Sequence, residues 1–176
     1  MAPVLLLLAW AGKPGAFLVL VTFAFLTDAL DGLIARRLGQ VSPFGAKLDS
    51  WGDLAIYGTL ALGSWWLWPA IIRRERLFVC LTIGSYLVPV AIGFLRYGRM
   101  PSHHTWAAKW SAVLMSASAI LMFAGVSPWP FRCSAPLFVL AGLEDVLITA
   151  LLPAWHPNVP TVRHAIEIRR QERAEA

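Results

Sequence analysis

The chain is poor in charge. Only 14% of its 176 residues are Asp, Glu, Lys or Arg, while 58% are hydrophobic. Soluble domains carry about 25% charged residues. An ordinary water-soluble fold is therefore excluded, and so is intrinsic disorder, which needs low hydrophobicity and high charge. Cysteine is nearly absent: Cys80 and Cys133 stand alone in apolar surroundings, with no CxxC pair. That excludes a disulfide framework and a zinc site and leaves two inert thiols. Internal repeats and low-complexity tracts are absent as well. The first apolar run has neither the basic flank nor the small-residue cleavage site of a signal peptide.

What is present suits a bilayer. Mean hydropathy is +0.63. Polar and proline punctuation separates six apolar runs: Pro3–Gly12, Gly15–Leu38, Pro43–Trp68, Glu75–Tyr97, Thr105–Gly125 and Ser134–Pro153. A crossing needs about 20 residues, so the first run is too short and is expected to be a span shortened by a late start. The predicted fold class is all-α: a polytopic membrane helix bundle of six transmembrane helices, the first shortened. Residues 1–161 form the membrane domain, and 162–176 a charged cytoplasmic tail that folds as a short amphipathic helix.

Lys and Arg set the orientation. With the junction of the second and third runs inside, ten basic residues are inside: Arg36, Arg37, Lys47, Arg96, Arg99, Lys109, Arg163, Arg169, Arg170 and Arg173. Five are outside: Lys13, Arg73, Arg74, Arg76 and Arg132. Trp65, Trp66, Trp68, Trp106, Trp110, Trp129 and Trp155 mark run ends, as interfacial belts do. The net charge of +5 thus reads as topology and phosphate handling, and no nucleic-acid polymer is expected as a partner. The chain is expected in a cell inner membrane or its equivalent.

Four of the ten acidic residues, Asp28, Asp31, Asp49 and Asp53, lie within 26 positions. Ionisable groups at membrane depth are expensive and usually functional. Asp28 and Asp31 are spaced i, i+3, and Asp49 and Asp53 i, i+4, so each pair shares a helix face. The connector between the helices is short, and the four carboxylates are expected to converge. Unpaired, they would raise each other's pKa. Magnesium or manganese relieves the conflict, because both take carboxylate oxygens together with substrate phosphates, and two such ions clamp a phosphoryl displacement. Gly32, Ala35 and Gly45 clear space for a bulky ligand, and Arg36 can pair bidentately with phosphate. A buried ion-pair network or a cation pathway is the competing explanation.

Residues 28–53 read DALDGLIARRLGQVSPFGAKLDSWGD. This resembles the signature of the CDP-alcohol phosphatidyltransferases, D-x2-D-G-x2-A-R-x8-G-x3-D-x3-D. Asp28, Asp31, Gly32, Ala35, Arg36, Gly45, Asp49 and Asp53 all match without a gap. At ~5% usage per residue type, such a match arises by chance on the order of once in 10⁸ chains of this size.

The resemblance implies an integral membrane enzyme with six spans, often homodimeric. Such an enzyme moves a substituted phosphate from a CDP-linked donor to a small polar alcohol and releases CMP. It implies two divalent ions, Mg2+ or Mn2+, with Asp28 and Asp49 touching both and Asp31 and Asp53 each completing one. It also makes Asp53 the general base, and it gives Gly32, Ala35, Arg36, Ser42 and Gly45 to the donor side. Family members carry an amphipathic helix and a full first span ahead of this point.

Arg96, Arg99, His103, His104 and Lys109 gather at the junction of the fourth and fifth runs, on the predicted side of the aspartates. Arg96, Arg99 and Lys109 are candidate contacts for a phosphorylated acceptor. Positive-inside decoration is the alternative. His103 and His104 lack ligand spacing. The best acceptor candidate is glycerol 3-phosphate; inositol phosphate, inositol and serine remain open, as does headgroup transfer from a CDP-alcohol to diacylglycerol. From other classes, a cation transporter or an inactive scaffold would also fit an acid cluster. Glu144 and Asp145, within the sixth run, are membrane-depth acids without an assigned role. Gly45, Gly52, Gly58 and Gly63 are expected to let helices approach closely.

Overall fold

A computed structural model describes residues 1–37, 43–98, 105–156 and 159–175; the side chains at 28, 29, 31–37, 43–50, 53 and 173–175 lie outside the description. The described residues form helices and no strand. In order they are α1 (Ala2–Trp10), α2 (Pro14–Arg37), α3 (Pro43–Leu67), α4 (Pro69–Arg74), α5 (Arg76–Tyr97), α6 (Trp106–Phe123), α7 (Trp129–Leu151) and α8 (Val162–Glu175).

Proline opens many of these helices. Pro3, Pro14, Pro43, Pro69 and Pro130 all lie in a first turn, where a missing N–H costs nothing and φ is already helical. This corrects two expectations. The Pro128–Pro130 stretch starts α7 rather than separating runs, so that helix begins five residues before Ser134. The third run ends at Leu67, and Pro69 starts the separate short helix α4.

Among the described residues three helices are long and apolar enough to cross a membrane: α5, α6 and α7, with mean hydropathies of 2.1, 1.3 and 1.6. Within the same described residues, α2 and α3 contribute the shorter apolar segments Pro14–Thr27 and Leu54–Leu67. Exposed Leu, Val, Phe and Trp side chains are abundant along the chain, as expected where lipid is the solvent.

The chain divides into two compact units. The first is Met1–Glu75 with Ile120–Val126, and the second is Arg76–Ala119 with Ser127–Ala176. In the first, Leu5 and Ala9 of α1 pack with Phe17 and Val21 of α2 in a buried core, joined by Leu60 and Leu67 of α3. The Phe17 ring meets Trp68 edge-on with centroids 6.0 Å apart, and Trp68 stacks on Phe123 at 4.9 Å. Gly63 makes room for this: a Cβ there would lie 2.5 Å from the Phe17 ring and 3.3 Å from Ala9 Cβ. A Cβ at Gly52 or Gly58 would meet nothing within 4 Å, so of the expected small-residue stripe only Gly63 serves close packing among the described positions. The turn between α1 and α2 uses Gly12 at φ +64°. The Lys13 N–H donates to Leu8 O at 3.0 Å, which closes the helix end as left-handed glycine caps do.

In the second unit α5 and α7 run parallel. Ser85 faces Gly142, and further along Tyr97 reaches Thr149 and Leu152. Pro89 lies inside α5 and has no N–H, so the Ser85 carbonyl loses its helical donor. That carbonyl points at Gly142, where an added Cβ would lie 2.5 Å from it. Only glycine admits the approach. A buried polar seam ties α6 to its neighbours: Ser118 Oγ and Ser134 Oγ are 2.7 Å apart, and Met115 Sδ accepts from Ser134 at 3.7 Å and from Thr82 at 3.8 Å. The tail is a helix, as expected, but it does not hang free. Ala165, Val162 and Ile168 of α8 pack on Ile148, Leu151 and Leu152 at the end of α7.

Candidate active site

The helical frame of the acidic cluster follows from the local sequence. α2 carries its apolar residues up to Thr27, whose Oγ1 donates back to Phe23 O at 2.9 Å, and then continues unbroken to Arg37. Asp28, Asp31, Gly32, Ala35 and Arg36 thus all lie on its C-terminal part. α3 starts at Pro43 and carries Gly45, Asp49 and Asp53 on its N-terminal part. Within an α-helix, residues three apart differ by about 4.5 Å in height and residues four apart by about 6 Å. The helices therefore supply the i, i+3 and i, i+4 spacing on which the sequence reading rests. The side chains of Asp28, Asp31, Gly32, Ala35, Arg36, Gly45, Asp49 and Asp53, and the whole of Ser42, lie outside the described residues. So do Arg99, His103 and His104. Among the described residues there is no group of three His, Cys, Asp or Glu side chains able to hold a metal. As a donor set, four carboxylates on consecutive helices fit a hard divalent cation.

Arg96 and Lys109 are described. Arg96 lies in the last turn of α5, and its Nη2 donates to Leu152 O at 3.1 Å. Tyr97 donates its hydroxyl to Thr149 O at 2.7 Å and to Leu152 O at 3.1 Å. These carbonyls end α7 and have no helical donor, and Pro153 follows them. The two α5 side chains thus cap α7 and hold the C-terminal ends of both helices at one level. Gly98, at φ +64°, ends α5 directly after them. Lys109 sits one turn into α6, which Thr105 starts by accepting the Ala108 N–H on its Oγ1 at 3.0 Å. Its ammonium stands 5.2 Å from the centre of the Trp106 ring, within cation–π range. Tyr97 was not singled out in the sequence. Its signal there is a hydroxyl-bearing aromatic next to an arginine at a span end.

At the opposite end of the same unit, Arg132 lies 5.1 Å from the Trp129 ring centre and 6.0 Å from that of Phe78. Cationic groups therefore mark both ends of the α5–α7 pair. Asp145, in the apolar length of α7, has its Oδ1 buried without a hydrogen-bond partner among the described residues. Among the described residues of the first unit, Glu75 is a buried acid. It is 2% exposed, and its Oε1 accepts from Arg74 Nε at 3.0 Å.

Comparison with known proteins adds what the side chains alone do not. The family model described as CDP-alcohol phosphatidyltransferase matches residues 1–153. A CDP-diacylglycerol--glycerol-3-phosphate 3-phosphatidyltransferase from Pseudomonas fluorescens is 36% identical over 141 residues, which cover 76% of this chain and 66% of the relative. A probable phosphatidylglycerophosphate synthase from Mycobacterium tuberculosis is 27% identical over 135 residues, 73% of this chain and 59% of that one. A phosphatidylinositol phosphate synthase from Mycobacterium bovis is 30% identical over 135 residues, 74% and 62% of the two chains. The chain spans about three fifths to two thirds of the length of these relatives. No solved structure matches it. With a family match over residues 1–153 that contains the whole acidic signature, the chain belongs to the CDP-alcohol phosphatidyltransferase family, whose members are phospholipid-synthesising transferases.

Proposed function

We propose that this protein transfers a phosphatidyl group from CDP-diacylglycerol to the hydroxyl of glycerol 3-phosphate and releases CMP. The observation that carries the reading is the unbroken eight-residue signature, carried by the C-terminal part of α2 and the N-terminal part of α3. In this reading α1, α2 and α3 join α5, α6 and α7 as six spans, with α1 shortened. The 24 residues of α2 rise about 36 Å, enough to carry the acidic end to the cytoplasmic face.

Asp28, Asp31, Asp49 and Asp53 would hold two magnesium or manganese ions, which supply charge neutralisation for the diphosphate and the CMP leaving group. Asp53 takes the proton from the acceptor hydroxyl. The freed oxygen attacks the phosphorus that bears the diacylglycerol, the bond from that phosphorus to the CMP oxygen breaks, and CMP leaves with the electron pair. Gly32, Ala35 and Gly45 give the nucleotide room to approach the helix backbones. Arg36 pairs with a donor phosphate, and Ser42 offers a hydroxyl to the same group. Arg96, Arg99 and Lys109 bind the phosphate of the acceptor. The working unit is a homodimer, as the resemblance implies.

The acceptor is decided by a screen in liposomes containing CDP-diacylglycerol and Mg2+, with CMP release as the readout. Glycerol 3-phosphate is expected to give the highest kcat/KM. Inositol phosphate and serine belong in the screen because relatives of the chain include a phosphatidylinositol phosphate synthase and a CDP-diacylglycerol--serine O-phosphatidyltransferase. Faster turnover with either would replace the acceptor and keep the reaction. No CMP with any acceptor would discard the transferase reading.

A further inference from the structure

Helix α8 shows a separation of charge that the transfer reaction does not use. At 100° per residue, positions 163, 166, 169, 170 and 173 fall within an arc of about 120°. They are Arg163, Ile166, Arg169, Arg170 and Arg173. The acids of this helix, Glu167, Glu172 and Glu175, fall outside the arc, and Glu172 is turned to His156, with Oε1 3.0 Å from Nε2. Arg163, Ile166 and Arg170 are exposed and Arg169 is half-buried. None of the three described arginines has an ion-pair partner among the described residues. On the packed side Ala165 is fully buried and sits with Val162 and Ile168 on Ile148 and Leu152; Glu172 falls on this side too, and Val162 lies at the edge of the arginine arc.

Position decides what the cationic arc meets. Ile148 lies in the last turn of the membrane-length helix α7, and Leu152 follows its end. α8 is thus pinned where the apolar span stops, with Trp155 three residues beyond Leu152 in the sequence, at the depth of the lipid headgroups. We propose that this arc of α8 docks on the anionic headgroup layer, with the arginines on lipid phosphates and Ile166 dipping toward the acyl boundary. Segregated cations around an apolar residue are the pattern of an interfacial helix. A soluble polyanion would have no use for Ile166. Each arginine near an anionic surface strengthens association about fivefold, so the three together contribute on the order of a hundredfold. The proposal stands apart from the transferase reading.

The test uses the full chain with Cys80→Ser, Cys133→Ser and Ile166→Cys, labelled at position 166 with a polarity-sensitive dye. It is reconstituted in phosphatidylcholine vesicles with and without phosphatidylglycerol, and acrylamide quenching is read. Anionic lipid is expected to lower quenching severalfold and blue-shift the emission. About 1 M salt, where the Debye length falls to about 3 Å, should reverse both changes. The variant carrying Arg163→Gln, Arg169→Gln and Arg170→Gln should respond to neither lipid nor salt. Equal quenching in both vesicle types overturns the proposal, as does an unchanged response in the variant. Equal protection by soluble polyphosphate in neutral vesicles overturns the assignment to lipid. Should the triple variant unfold early in detergent, Arg170→Gln alone carries the test, with about a fivefold loss.

Discussion

At the residue scale, the proposed reaction assigns the chemistry to the aspartates and placement to the basic residues. Asp53→Asn keeps the size of the side chain and removes its basicity. It is expected to lower CMP release by at least about 10²–10⁴-fold, with helical content by circular dichroism unchanged. Arg96 and Tyr97 separate by role although they are neighbours. Both cap the end of α7, but only Arg96 is proposed to meet acceptor phosphate. Arg96→Ala should raise the acceptor KM about 10–100-fold, the worth of a lost charged hydrogen bond, and leave the KM for CDP-diacylglycerol unchanged. Tyr97→Phe should leave both KM values alone and cost about 0.5–1.5 kcal/mol of stability, read by thermal unfolding in detergent. The i, i+3 and i, i+4 spacing of the four aspartates was legible because it is a local property of a helix, which α2 and α3 supply. The anchoring of Arg96 was not, because its partner lies 56 residues away and no local pattern encodes which carbonyl an arginine finds.

At the element scale, two glycines set helix contacts that composition alone would spread over many. A methyl at Gly142 meets the Ser85 backbone carbonyl, and one at Gly63 meets the Phe17 ring inside a closed core. Gly142→Ala and Gly63→Ala should each cost about 1–3 kcal/mol, as overpacking does. Gly58→Ala meets nothing within 4 Å and should be neutral or stabilising by up to about 1 kcal/mol, the helix preference for alanine. Thermal unfolding of the three variants in one detergent checks the contrast; equal effects would contradict it. Helix bounds were mostly legible from the apolar runs. The clearest error came at the Pro128–Pro130 stretch, which separates runs when read as a breaker but starts α7 when read by position. The Ser85–Gly142 contact depends on Pro89 freeing a carbonyl on another helix, which no single run reveals.

At the scale of the whole molecule, scarcity of charge pointed to the bilayer, and four of the ten acids fall within the 26-residue signature. Among the described residues three helices meet the length and hydropathy of a span, and α2 and α3 add the shorter apolar segments Pro14–Thr27 and Leu54–Leu67. The docking of α8 was only half legible: its amphipathic pattern was visible, its partner Ile148–Leu152 was not. The central claim is that these four aspartates run a metal-dependent transfer. It is tested most directly by CMP release in liposomes with CDP-diacylglycerol and glycerol 3-phosphate. The parent chain is compared with Asp53→Asn, with Mg2+, with EDTA, and after Mg2+ or Mn2+ is restored. The account predicts one CMP per phosphatidyl group transferred by the parent, loss in EDTA, recovery with either metal, and no recovery in Asp53→Asn. CMP release that survives EDTA, or that Asp53→Asn sustains at the parent rate, would contradict it.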